Sequence, residues 1–311
     1  MASYWLLTAI LATAYSALPG ERVVVWAAIG AVATAGLLLG VWRHRPRRRM
    51  LWLLLGAALL CFDAGDTTYD VMTGWLGWAV PFPSTADAIY LLGFYPLASA
   101  ALFGLARTRT SHDRTSALDA VTLTVGLGLL SWIFLISPYV QDPHLSPLQK
   151  SISVAYPLYD VLLLATIARL VGAVRWSVSL ALLGAGGAAL LAADVLYGLA
   201  QLGGTWHDGT AVDALWILFY ACWGAAAIHP SMARLTEPRI VRRGEIGGRR
   251  LALMTLSSLI PPAALFVEAA RGGVRDGAVI ALCSTVMFTL VLTRLSAVVG
   301  VHREAVARER G

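Results

Sequence analysis

The sequence predicts an all-α integral membrane protein of about ten transmembrane helices, and three observations carry that prediction. Of its 311 residues, 58% are hydrophobic and only 14% charged, with a mean hydropathy of +0.70; a soluble domain usually carries about 25% charged residues. The apolar residues fall in runs of about 20, the length needed to cross a bilayer. Turn signals and short basic stretches separate those runs, and the abundant Gly and Ala suit helices packed closely in lipid.

In order, the first helix is expected over 3–18, short for a span and stopped by Leu18-Pro19-Gly20. The second, 21–42, runs into the basic stretch Arg43-His44-Arg45-Pro46-Arg47-Arg48-Arg49. A third covers 50–75, and Pro81-Phe82-Pro83 separates it from a fourth over 85–107. The fifth, 116–138, ends before Asp142-Pro143; the sixth and seventh cover 150–173 and 176–202, the latter stopped by Gly203-Gly204. An eighth over 210–229, a ninth over 249–271 and a tenth over 276–300 complete the set. Residues 301–311 are polar and helix-favouring, a cytoplasmic helical tail.

Charge sets the orientation. The net charge of +6 is almost all arginine, Lys150 being the one lysine. The arginines lie in short loops, which marks those loops as cytoplasmic rather than as a nucleic-acid footprint, so no nucleic-acid partner is expected. Arg43–Arg49, Arg107–Arg114, Arg175 and Arg234–Arg250 then fall inside, and the arginine-poor loops fall outside; only Arg271 and Arg275 disagree. Both termini should be cytoplasmic in a multi-pass protein of the plasma membrane. No basic residue precedes the first apolar run, so a cleaved signal peptide is not expected. Cys61, Cys222 and Cys283 are odd in number and lack CxxC spacing, which argues against a disulfide framework or zinc knuckle.

An internal repeat is expected. Asp66-Thr67-Thr68-Tyr69 in the third helix parallels Asp194-Val195-Leu196-Tyr197 in the seventh. Asp87-Ala88-Ile89-Tyr90 with Phe94-Tyr95 in the fourth parallels Asp213-Ala214-Leu215-Trp216 with Phe219-Tyr220 in the eighth. The sixth and tenth end alike, in Ala168-Arg169-Leu170 and Thr293-Arg294-Leu295. The expected organisation is therefore an N-terminal helix pair (1–49) and two parallel four-helix repeats (50–173 and 176–300).

An ionised carboxylate at a bilayer centre costs about 2.5–3.5 kcal/mol on insertion scales, so each intramembrane acid needs a reason. Asp63, Asp66, Asp70, Asp87, Asp160, Asp194, Asp213 and Glu268 all fall in the outer half or at its rim, and only Asp119 in the inner half. Helix capping accounts for some: Ser84-x-x-Asp87, Thr210-x-x-Asp213 and Ser116-x-x-Asp119 have capping-box-like spacing. Glu268 lies near Arg271 and Arg275, as in a surface ion pair. Asp66, Asp160 and Asp194 sit deeper, each with a tyrosine three or four residues away on its own face (Tyr69, Tyr156 and Tyr197), and Asp63 extends the Asp66 stripe. Buried Tyr–Asp hydrogen bonds between helices, a pocket for a cationic or hydroxylated ligand, and a proton pathway all fit this pattern. The candidate outer pocket comprises Asp63, Asp66, Tyr69, Asp87, Tyr90, Tyr156, Asp160, Asp194, Tyr197, Asp213 and Trp216.

Other chemistries find no footing. A retinal Schiff base needs a lysine within a helix, and Lys150 lies at the outer mouth of the sixth. The six histidines fall in loops or at helix ends, unlike the axial ligands of a membrane haem. An outer metal site from His144 and His207 with Asp142 or Asp208 is conceivable but weakly drawn, and no HExxH, GxSxG, Walker loop or Rossmann fingerprint occurs. No cofactor, metal or catalytic residue is therefore expected.

Four motifs occur in order: Pro83-Ser84-x-x-Asp87-x-x-Tyr90-Leu91-Leu92-Gly93-x-Tyr95-Pro96, Ala155-Tyr156-Pro157-x-x-Asp160, Ala193-Asp194-x-x-Tyr197 and His229-Pro230-Ser231-Met232. Together, over residues 50–300, they resemble the multi-helix N-terminal membrane region of actinobacterial diguanylate cyclase/phosphodiesterase (GGDEF/EAL) proteins. The resemblance implies a sensory or anchoring module acting in cyclic-di-GMP signalling, and raises Asp66, Asp87, Tyr90, Asp160 and Asp194 without assigning them roles. The chain departs from that pattern in carrying no catalytic domain within these residues. The expectation is a sensor coupling an outer Asp/Tyr pocket, through the tenth helix and across a homodimer, to a cytoplasmic output domain or effector. A proton-coupled transporter of small molecules or ions is the alternative; Pro96, Pro157 and Pro261-Pro262 would then break helices to expose backbone to substrate. A membrane-embedded enzyme lacks a nucleophile or metal constellation to support it.

Overall fold

The computed structural model describes residues 1–78, 82–107, 114–173, 176–207, 209–236, 256–270 and 272–309. Every secondary-structure element among the described residues is helical. Helix α1 is Ala2–Ala17 and α2 is Arg22–His44. Helix α3, Arg49–Asp70, is extended by a π turn, Val71–Trp75. Helix α4 spans Thr85–Arg107 with a π turn at Tyr90–Phe94. Helix α5 runs from Arg114–Ser131 through a π turn, Trp132–Ile136, into Ser137–Gln141. Then follow α6 (Pro147–Ala173), α7 (Val178–Leu202), α8 (Ala211–Ile228) with a 3-10 turn at Pro230–Thr236, α9 (Ile260–Ala270) and α10 (Gly277–Glu309).

Eight of these helices are long and apolar enough to cross a bilayer. Among the described residues, the 16-residue α1 and the apolar α9 fall below that length; residues 249–255 of the expected ninth helix lie outside the described residues, and the count of ten spans rests on the sequence pattern for those two. The basic loops 108–113, 174–175 and 237–250, the side chains of the Ser116–Asp119 cap, and Arg271 lie outside the described residues. The tail expected to be helical continues α10 without a break to Glu309.

Proline leaves a local signature. Two of the three π turns end two residues before a proline, Pro96 and Pro138. A proline inside a helix lacks an N–H and its ring clashes with the carbonyl four residues back, so a looser turn upstream accommodates it. Pro157 instead lies within an uninterrupted α6, and Pro261-Pro262 occupy the first turn of α9, where their missing N–H groups cost nothing.

The chain divides into two compact units, residues 1–110 with 135–239 and residues 111–134 with 240–311; the division falls inside the π turn Trp132–Ile136 and does not follow the sequence boundaries 50–173 and 176–300. In the first unit, α2, α3, α4, α6, α7 and α8 form a closed ring in that order, each packed on the next and α8 returning to α2. Helix α1 packs on α2 and α8. Thus α2, expected to belong to an appended pair, is a ring member. Close approach of α2 and α8 depends on small residues: a Cβ at Gly40 would collide with the Ala227 carbonyl, and one at Gly224 with the Tyr4 hydroxyl and the Ala33 carbonyl. The ring is filled by buried aromatics, with Phe62 4.6 Å from Phe94 and Phe219 4.8 Å from Trp223 between ring centroids.

In the second unit, α5, α9 and α10 meet around Leu129, Ala264 and Ile280. Trp132 Nε1 donates to Asp276 at 2.8 Å. Glu268, expected in a surface ion pair, is buried and accepts the backbone N–H groups of Arg275 and Asp276 at 3.0 and 3.1 Å. It clamps the α9–α10 turn.

Candidate functional site: an acidic, aromatic cavity

Asp66, Asp160 and Asp194 gather at one end of the ring. The N-terminal halves of α2, α4, α6 and α8 and the C-terminal halves of α3 and α7 meet there around a cavity of about 780 Å³. Its wall holds seven aspartates (Asp66, Asp70, Asp87, Asp142, Asp160, Asp194 and Asp213) against a single basic side chain, Arg22, among the described residues. Seven tyrosines and four tryptophans share the wall. The opposite ends of the same helices carry Arg43, Arg45, Arg48, Arg107 and Arg169, the last two over the Phe103 ring at 5.4 and 4.9 Å.

Two hydrogen-bonded nodes organise the floor. Asp66 on α3 is held from three other helices: Trp26 Nε1 of α2 donates to Oδ2 at 2.7 Å, Tyr220 OH of α8 to Oδ2 at 2.8 Å, and Tyr90 OH of α4 to Oδ1 at 2.5 Å. Asp194 on α7 is held in a similar way: Trp216 Nε1 of α8 donates to Oδ1 at 2.9 Å, and Tyr95 OH of α4 lies 3.3 Å from Oδ2. The same Tyr95 hydroxyl reaches Asp160 Oδ1 of α6 at 2.8 Å, so it lies between two carboxyl groups. Asp160 and Tyr95 are buried to 4% and 1% residual exposure, so the second node sits deep in the wall.

Two further acids tie the rim together. Asp87 forms the expected capping box with Ser84, accepting its backbone N–H at 2.6 Å, and its other oxygen accepts Tyr156 OH of α6 at 2.7 Å. Asp213 does not form the analogous box with Thr210, whose hydroxyl makes no cap bond. It accepts Tyr15 OH of α1 at 2.6 Å and the Gly209 N–H at 2.8 Å, while Arg22 stacks over the Tyr15 ring at 5.4 Å.

No known protein family, curated protein or solved structure matches the chain.

Ten of the eleven expected site residues meet at the cavity, but with different partners from those their spacing suggested. Tyr156 bonds Asp87 rather than Asp160, and Tyr197 accepts from Gln201 Nε2 at 2.7 Å and packs on Trp206 and Trp216. Tyr69 lines the wall. Asp63 stands apart: it lies against Gly30 in the α2–α3 contact, outside the cavity wall, with a buried Oδ1 that receives no hydrogen bond. Sequence reasoning missed Tyr15, Trp26, Tyr95 and Tyr220 as site residues. Tyr95 and Tyr220 had a usable signal, since they follow Asp87 and Asp213 by about two helical turns. The π turn in α4 offsets the extra residue between Asp87 and Tyr95, so both tyrosines face inward. No cluster with metal-ligand geometry occurs among the described residues.

Proposed function

We propose that the chain is a transmembrane sensory module: a ligand enters the acidic cavity from the outer face, and occupancy is passed through α10 to a cytoplasmic cyclic-di-GMP output domain or effector. The observation that carries this reading is the cavity, whose about 780 Å³ suits a small organic molecule. Its excess of carboxylates over basic groups and its aromatic walls favour a cation. The arginine-rich helix ends opposite the cavity support a cytoplasmic location for that side and an outer location for the cavity. Exposed Trp75 and Trp78 near the cavity and Trp42 and Trp176 at the far end suit two membrane interfaces. The resemblance of the motif order to that of GGDEF/EAL membrane regions supports the signalling half of the proposal.

The rival reading, a transporter, draws on the π turn at Tyr90–Phe94 beside Pro96 in the cavity wall, a local departure from regular helix. Clustering of the acids at one end of the ring favours the sensor, because alternating access uses polar groups on both sides of a site. One experiment separates them. A benzyl group attached through a Gln201→Cys variant would fill the cavity mouth in reconstituted protein. The sensor predicts altered amide exchange in residues 301–309; unchanged exchange there, together with accumulation of 2-phenylethylamine in proteoliposomes bearing the unmodified protein, would establish the transporter.

A further inference from the structure

The two nodes differ in how well their acids are served. At Asp66, three donor hydrogens, from Trp26, Tyr90 and Tyr220, converge on one carboxyl group. At the second node, two carboxyl groups, Asp160 and Asp194, hydrogen-bond each other and share only two further donors, Tyr95 and Trp216. The Tyr95 hydroxyl has a single hydrogen and lies within reach of both acids, so it satisfies one at a time. The difference has an identifiable origin. In the ring, α3 is flanked by α2 and α4 and α7 by α6 and α8; α2 brings the neutral donor Trp26 to Asp66, whereas α6 brings a second acid, Asp160, to Asp194.

Asp160, Asp194 and Tyr95 all line the cavity, with Tyr197, Trp206 and Trp216 forming an aromatic wall beside them at 4.8 to 5.9 Å between ring centroids. Arg22 is engaged with Tyr15 of α1, among the rim residues around Asp213. Among the described residues no basic side chain serves the node, so its two carboxyl groups hold each other only through a shared proton, and they lie beside an aromatic surface.

We propose that the Asp160–Tyr95–Asp194 node is the head-group subsite of the cavity, and that its ligand is a primary ammonium carried on an aromatic or apolar body. A primary ammonium supplies three donor hydrogens and a positive charge, so it can take the place of the shared proton and bind both carboxyl groups as carboxylates. The aromatic wall receives the body. A quaternary ammonium brings the charge without hydrogens, and an alcohol brings one hydrogen without the charge. This inference rests on the ligand-pocket reading above and narrows it to one node and one head group.

The test is calorimetric titration of the full chain in nanodiscs with 2-phenylethylamine, its N,N,N-trimethyl derivative and 2-phenylethanol. The amine should bind more tightly than either analogue by about tenfold or more, as the loss of one charge-assisted hydrogen bond implies. Asp160→Asn and Asp194→Asn should each weaken the amine by about tenfold or more and weaken 2-phenylethanol by less, since a paired charge is lost only with the amine. The three-ligand comparison on unaltered protein stands even if a variant fails to fold. Equal affinity for all three ligands, or amine binding indifferent to both substitutions, would overturn the head-group assignment and leave the pocket reading intact. Amine binding absent while 2-phenylethanol binds would also overturn it. Failure of every ligand to bind, including a wider panel of amines, sugars and organic anions, would remove the pocket reading itself.

Discussion

Tyr220→Phe removes one hydroxyl from a fully buried ring and leaves its packing volume nearly unchanged, so it isolates the bond from α8 to Asp66. That bond is 2.8 Å long and ends on a carboxyl group already held by Trp26 and Tyr90. Interhelical hydrogen bonds in membranes average about 0.6 kcal/mol and reach about 1.7. A short bond to a carboxyl group belongs in the upper part of that range, so a coupling of about 1 to 1.7 kcal/mol is expected. The measurement is a double-mutant cycle, Tyr220→Phe against Asp66→Asn, with unfolding free energies from reversible SDS titration. A control cycle pairs Asp66→Asn with Tyr139→Phe, whose hydroxyl points instead to the Gly198 carbonyl. The control should couple by less than about 0.3 kcal/mol, the scatter typical of independent sites. Equal coupling in the two cycles would refute the claim that Asp66 fastens three helices.

Gly40→Ala forces a methyl group into the Ala227 carbonyl and should destabilise the bundle by about 1–3 kcal/mol. Gly20→Ala, which meets nothing within 4 Å, should leave the same SDS midpoint in place. Ser231→Ala removes the acceptor for the Ser179 N–H, a 3.0 Å bond that docks the 3-10 turn after α8 onto the start of α7, and should cost about 1 kcal/mol by SDS titration. Glu268→Ala takes away the shared acceptor of the Arg275 and Asp276 amides. Faster amide exchange confined to the α9–α10 turn is the expected readout, and unaltered exchange there would show that the clamp does not hold the turn.

The helical class was legible because apolar runs and basic loops are first-order signals of a bilayer. The end of the bundle that carries acids was legible too, since depth follows from counting residues along each run. Partners were not. Helical spacing pairs Asp66 with Tyr69 and Tyr156 with Asp160, but these acids take their donors from neighbouring helices, which a one-dimensional reading cannot place. Trp26 shows the same limit: set within an expected accessory pair, it belongs to a helix that closes the ring between α8 and α3. The His229-Pro230-Ser231-Met232 motif stood out in the sequence, and its seryl group joins α7 to the end of α8 rather than lining the cavity. Asp63 was misplaced because a stripe every three or four residues spans more than one face in a ring packed on both sides.

The proposed sensor needs its acidic cavity open to the outside of the cell, and the accessibility of a single thiol reports that placement. In a background lacking Cys61, Cys222 and Cys283, a cysteine replaces Gln201, an exposed residue of the cavity wall, and a second variant carries one at Arg47 in the basic loop at the other end. A membrane-impermeant maleimide applied to intact spheroplasts should label position 201 and spare position 47 until the membrane is permeabilised. Labelling of position 47 alone in intact spheroplasts would place the cavity on the cytoplasmic face and contradict the account.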